Sequence, residues 1–184
     1  MQKRTILDKK QLDLTLKRLC HQLIENHQNF ENCCIIGIQP RGIHLSDRIV
    51  ALLQQINPKA TIRYGKLDPT FYRDDFRRRD TPLEAASTEI LFSIEDQDVV
   101  LVDDVLYTGR TVRSAMDALL DFGRPSKVEL LALIDRRFSR HLPVQPDYVG
   151  KVVDAVSSEV VKVEWEDLNG KDKVSIYTET IKTE

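Results

Sequence analysis

Residues 99–111 read VVLVDDVLYTGRT. Residues 99–102 form a continuous apolar run, the pattern of a central parallel strand covered on both faces. Two acids, Asp103 and Asp104, end it, and a short loop with Thr108, Gly109 and Thr111 then opens a helix. Each part has a chemical use. Backbone N–H groups at a helix N-terminus, aided by the helix dipole, hold a phosphate dianion. Gly109 lets the backbone approach that phosphate without a Cβ in the way. The hydroxyls of Thr108 and Thr111 can donate to phosphate oxygens. Two acids beside the phosphate can accept hydrogen bonds from the two hydroxyls of a ribose, and they attract Mg²⁺, which prefers oxygen ligands and water. Taken singly, these features also suit a plain helix cap, solvated acids at a strand end, or a magnesium-dependent phospho-acceptor domain.

Outward from this stretch, strands and helices alternate. Asp8 caps a predicted helix to about residue 25, with Leu12, Leu16, Leu19 and Leu23 as its buried stripe. Residues 33–38 read as a buried strand, and Gln39-Pro40-Arg41-Gly42 is the loop after it. A helix with Leu45, Ile49, Leu52 and Leu53 on one face follows, broken at Asn57-Pro58. Strands are expected over 61–66, 89–93 and 128–134, and a helix over about 111–120 that ends near Gly123. Residues 142–150 read as a Pro-containing loop. Residues 160–165 and 173–177 read as an antiparallel pair turning at Asn169-Gly170. The expected fold class is α/β, a mostly parallel central sheet flanked by helices.

The stretch 68–87 has neither period and contains DPTFYRDDFRRRDTP. A loop this long in a compact domain is often functional, and a mobile lid is expected here.

Composition narrows the class. The chain has 184 residues, with hydrophobic residues at 41% and charged residues at 30%, which excludes a disordered chain, a fibre and a small disulfide scaffold. Lys plus Arg is 27 and Asp plus Glu is 29, a net charge of −2, so nothing in the total charge marks a nucleic-acid coat protein. Cys20, Cys33 and Cys34 have no zinc-type spacing and read as small buried residues. The N-terminus lacks the apolar stretch of a signal peptide, and no segment approaches a membrane span. A cytoplasmic location is expected.

The segment 99–111 resembles the phosphoribosyl diphosphate (PRPP) signature of type I phosphoribosyltransferases. LVDDVLYTGRTVR, FYRDD, MDALLDFGRP and PDYVGK, in this order, are similar to a more specific family, the bifunctional pyrimidine-operon regulators and uracil phosphoribosyltransferases called PyrR. The similarity spans nearly the whole chain, 1–184, as one phosphoribosyltransferase domain. It implies the type I fold, with a small hood built from the N- and C-terminal segments. It implies Mg²⁺-dependent transfer of ribose 5-phosphate from PRPP to uracil, giving UMP and pyrophosphate. The metal is expected on the substrate, with no direct protein ligand.

By this resemblance Asp103 and Asp104 meet the ribose hydroxyls, and Val105, Leu106, Tyr107, Thr108, Gly109, Arg110 and Thr111 form the donor loop. Pro40 and Arg41 serve the pyrophosphate, whose oxygens a guanidinium can bind in pairs. The family pattern carries a Thr where Pro40 stands. In the lid, Arg73 is the first choice to close on pyrophosphate, before Arg77, Arg78 and Arg79. Arg136 is placed near the uracil, although residues 137–143 run one residue longer than the family pattern. His141 reads as a surface histidine.

The family's second role is binding messenger RNA of the pyrimidine operon in response to UMP or UTP. Lys10, Lys17, Arg18 and His21 lie near one face of the first helix and are the candidate contacts. A dimer or dimer of dimers is implied, with no membrane partner. Two alternatives remain at this point: a purine-base phosphoribosyltransferase, and a non-catalytic regulator that senses nucleotide and binds RNA.

Overall fold

The computed structural model describes residues 3–74, 85–156 and 158–178. Five strands make a fully parallel sheet: β2 (Cys33–Ile38), β3 (Arg63–Leu67), β4 (Asp98–Leu106), β5 (Lys127–Arg137) and β6 (Tyr148–Asp154), in the order β3-β2-β4-β5-β6. The apolar runs of β2, β4 and β5 are explained by burial on both faces. Helices α1 (Lys9–His27) and α2 (Gly42–Ile56) cover one face, where Leu12, Leu16, Leu45 and Ile49 join Ile35, Val100 and Leu131. Helix α3 (Arg110–Leu119) covers the other, where Val112 and Ala115 meet Ile36, Leu101 and Ala132.

Three more strands, β1 (Arg4–Leu7), β7 (Glu159–Glu164) and β8 (Lys173–Thr178), form an antiparallel sheet in the order β1-β8-β7. This is the expected hood, made from both chain ends. Its Leu7, Val161, Trp165 and Val174 share the α1–α2 core. Arg48 of α2 stacks over Trp165 at 4.7 Å and pairs with Asp167 at 2.8 Å and Asp172 at 3.0 Å, which ties the hood to α2.

Several expected elements differ. Residues 148–154 are the fifth sheet strand, which begins inside the loop expected over 142–150; β6 is an edge strand, and its exposed Lys151 and Val152 break the apolar run. β1 was missed because its four residues show no period. The strand expected over 89–93 is reduced to one antiparallel bridge between Glu89 and Lys66. Asn169-Gly170 does not make a tight hairpin. The chain forms a short helical turn, α4 (Glu166–Asn169), closed by Gly170 at φ 71°. The Asn169 side chain accepts the Trp165 N–H at 3.0 Å, so the local side-chain bond selects a helical turn over a two-residue turn.

The sheet order reverses between β2 and β4, the strands flanking the crevice where open α/β sheets bind ligands. At this point α2 begins against β4. A Cβ on Gly42 would lie 2.3 Å from the Val102 carbonyl oxygen and 3.2 Å from Asp103 Cα. Backbone cannot yield as a side-chain tip can. Gly42→Ala should therefore destabilise the protein by about 1–3 kcal/mol through overpacking, a drop of roughly 2–4 °C in melting midpoint per kcal/mol. Thermal unfolding of the variant checks this.

Candidate functional site

Four strand ends deliver the candidate residues to one edge of the sheet. β2 ends at Ile38 and gives way to Gln39, Pro40 and Arg41, and the Gln39–Pro40 peptide is cis. β3 ends at Leu67 and leads into Asp68. β4 carries Asp103 and Asp104 and leads into residues 107–109, and β5 carries Asp135 and Arg136.

Asp103 and Asp104 are buried, at 8% and 5% exposure. Asp103 accepts the Asp104 N–H at 2.9 Å. Burial is the largest cause holding both carboxyls above the ordinary carboxylate range. The charge of Asp104 pushes Asp103 further up, while Arg41 pulls both down. Arg41 therefore acts electrostatically on the acids, as its place at the start of α2 suggests.

Both folded-state values lie above the unfolded ones, so the stability is fully present below the unfolded pKa and is lost as pH rises through the folded value. Asp103→Asn keeps the acceptor and removes the charge. Its melting midpoint should exceed that of the unsubstituted protein at neutral and alkaline pH, by roughly 2–4 °C per kcal/mol relieved, and should converge with it in acid. A pH series of thermal melts tests the sign.

The loop after β4 places Gly109 at φ 88°, the left-handed region, immediately before α3. The Arg110 N–H reaches the Thr108 hydroxyl at 3.4 Å. Thr111 is half-buried in the first turn of α3, and Tyr107 is exposed. Leu106 is a core side chain and Val105 packs partly into the opposite cluster, so of these two only the backbone is available at the site edge. Arg110 is exposed and pairs with Asp74.

Arg73 is half-buried directly after a short helical turn, Thr70–Tyr72, which docks on α3. The Tyr72 hydroxyl donates to Asp121, and the Tyr72 carbonyl accepts Arg113 at 3.3 Å. The stretch expected to be wholly irregular thus begins with an ordered turn. Its two ends are tied together: the Asp68 carboxylate accepts the Thr70 N–H at 2.9 Å and the Ala86 N–H at 2.5 Å, and the Gln39 amide donates to Ser87 O at 2.7 Å. Asp68 and Gln39 were not singled out from sequence. Arg77, Arg78 and Arg79 lie outside the described residues.

Arg136 is buried at 5% exposure and stacks on the Tyr107 ring at 4.0 Å. One terminal nitrogen donates to Val156 O at 3.3 Å, and its Nε has no hydrogen-bond partner among the described residues. Beside this stack, Tyr107, Phe138, His141 and Val156 line an open cleft.

On α1, Lys10, Lys17 and His21 are exposed. Arg18 differs: its guanidinium donates to Val149 O at 2.9 Å and Gly150 O at 2.6 Å, clamping α1 to β6. The three cysteines are buried, and burial pushes Cys20 and Cys33 up to about 12 and Cys34 to about 11, which excludes ready thiolate formation at neutral pH.

Among the described residues no group of three or more His, Cys, Asp or Glu gathers as a metal cage. Two buried carboxylates nonetheless offer hard oxygen donors whose mutual repulsion a divalent cation relieves. They fit Mg²⁺ that takes its other ligands from substrate oxygens and water. No helix among the described residues is long and apolar enough to cross a membrane.

Comparison with known proteins bears on the family and the fold. The phosphoribosyl transferase domain family matches residues 3–167. A protein of Desulfosudis oleivorans named bifunctional protein PyrR is 46% identical over 179 residues, covering 97% of this chain and 98% of its own. Its namesake in Bacillus subtilis is 44% identical over 181 residues, covering 96% and 97%. The crystal structure of a Trypanosoma cruzi hypoxanthine phosphoribosyltransferase superposes with a TM-score of 0.71 over 96% of this chain and 97% of that one. At 13% identity, that likeness speaks for the fold alone.

Proposed function

We propose that this chain, which belongs to the PyrR family of type I phosphoribosyltransferases, transfers ribose 5-phosphate from PRPP to uracil, yielding UMP and pyrophosphate. The observation that carries the reading is the convergence, at the sheet's switch point, of two buried acids and a left-handed glycine at a helix start. A purine base is less well supported, because relatives at 46% and 44% identity are PyrR proteins, whereas the hypoxanthine enzyme stands at 13%.

The 5′-phosphate is held by backbone N–H groups and hydroxyls of residues 107–111, with the α3 dipole behind them. Asp103 and Asp104 accept from the ribose 2′- and 3′-hydroxyls and fix the ring. Arg41 faces the pyrophosphate, and Arg73 meets it from the lid. Uracil N1 forms a bond to C1′ as the bond from C1′ to the pyrophosphate oxygen breaks, and the N1 proton leaves to water or to the departing pyrophosphate. Positive charge develops on the ribose ring, and negative charge passes to the leaving group. Bound Mg²⁺ supplies charge neutralisation for that leaving pyrophosphate. Closing the site against water protects the donor from hydrolysis. Arg136 lies on the base side, where its buried guanidinium stacks on the Tyr107 ring. No residue is assigned as general base.

Regulation through RNA is the second activity of this reading. Lys10, Lys17 and His21 are exposed on α1, and exposed Lys151 and Arg4 line a groove by the β6 edge. Such a face would bind RNA phosphates with a steep salt dependence. Arg18 contributes by holding α1 to β6.

The test is pyrophosphate release from PRPP with Mg²⁺, comparing uracil, hypoxanthine, guanine and no base. Release that depends on uracil is expected. Release with a purine overturns the base assignment. No release with any base, in protein that still binds UMP, makes the site a nucleotide sensor.

A further inference from the structure

The phosphate-binding loop is braced from behind by residues that the donor chemistry does not use. The Tyr107 carbonyl accepts a hydrogen bond from the Arg140 guanidinium. The Thr108 carbonyl accepts two, from the His141 N–H at 3.0 Å and the Leu142 N–H at 3.2 Å. The other arm of Arg140 pairs with Asp135, which lies opposite Leu106 in the β4–β5 register. One side chain therefore joins the ends of two adjacent strands to the loop between β4 and α3. The apolar side of the same segment fills the space behind Gly109, where a Cβ would meet Val144 Cβ at 3.4 Å and Leu142 Cβ at 3.5 Å.

The consequence follows from peptide geometry. In a planar trans peptide the C=O and the following N–H point in opposite directions. Both peptides here are trans. Tying the Tyr107 and Thr108 carbonyls toward residues 140–142 therefore turns the Thr108 and Gly109 N–H groups away from that segment. Neither N–H has a backbone acceptor among the described residues. Two amide donors thus face away from residues 140–142, just before α3 begins at Arg110. Donors fixed before the ligand arrives bind an anion without an ordering cost.

We propose that Arg140 is a positioning residue for the ribose 5-phosphate group: it touches no substrate, but orients the peptide planes of residues 107–109 so that their N–H groups face the phosphate. This rests on the donor-site reading above. It assigns a task to the segment where the chain departs from the family pattern, since the extra residue there still returns Arg140 to the loop. Arginine suits the task because its planar fork spans a carbonyl and a carboxylate at once, whereas lysine offers one point charge.

The experiment compares the unsubstituted protein with Arg140→Ala and Arg140→Lys. Ribose 5-phosphate binding is measured by calorimetry, together with kcat and the KM values for PRPP and uracil. Loss of a charged hydrogen bond predicts about a tenfold or greater weakening of ribose 5-phosphate binding in Arg140→Ala. The KM for PRPP should rise in parallel, with the KM for uracil within about twofold, and Arg140→Lys should lie between. If Arg140→Ala does not fold, the intermediate loss in Arg140→Lys carries the test. Unchanged ribose 5-phosphate binding in a folded variant overturns the proposal. So does equal weakening for both substrates with a lowered melting midpoint, which marks a merely structural role. If the unsubstituted protein binds no ribose 5-phosphate, the donor-site reading itself falls, and this proposal with it.

Discussion

Two carboxylates at the end of a strand buried on both faces are the constraint on which the rest of this architecture depends. β4 must be apolar to sit between α1–α2 and α3, yet Asp103 and Asp104 keep almost no contact with solvent. Such a pair resists ionisation: burial disfavours the charge on each, and each disfavours it on the other. The surrounding groups lessen that cost. Arg41 brings positive charge from the next strand end, and Gly42 lets its loop approach β4 closely enough to do so. What remains is a site that gains free energy when hydroxyl donors or a cation reach the acids, which is the requirement for gripping a phosphoribosyl donor.

The parallel sheet makes the arrangement possible. All five strands point the same way, so their following loops share one edge. The acids, the loop at 107–111, Arg41 and Arg136 arrive there from three neighbouring strands. The hood merges with the α1–α2 side of the core and leaves the α3 side to the Thr70–Tyr72 turn.

Much of this was legible in the chain itself, wherever local chemistry and period agreed. The apolar run before Asp103, the glycine after Thr108 and the stripe of α3 specify strand, loop and helix without tertiary information. The hood was foreseen from the family resemblance, and its β7–β8 pairing from local pattern. The failures came where distant contacts decide. β6 is an edge strand with exposed Lys151 and Val152, so its composition resembled a loop. Asn169-Gly170 has the sequence of a tight turn, but the Asn169 side chain bonds back to Trp165 and extends it into α4. Arg140 acts on a carbonyl 33 residues away in sequence, a contact with no local signature. Asp68 has no local signature for the same reason, since its partner Ala86 lies 18 residues further on.

The most direct measurement is calorimetric titration of PRPP with Mg²⁺ into the protein near neutral pH, in buffers of different ionisation enthalpy. If the buried acids carry a proton until the donor and its cation arrive, binding releases protons. The release should shrink in Asp103→Asn. Binding that Asp103→Asn leaves unchanged, in affinity and in proton release alike, would contradict the assignment of the paired acids to the donor site.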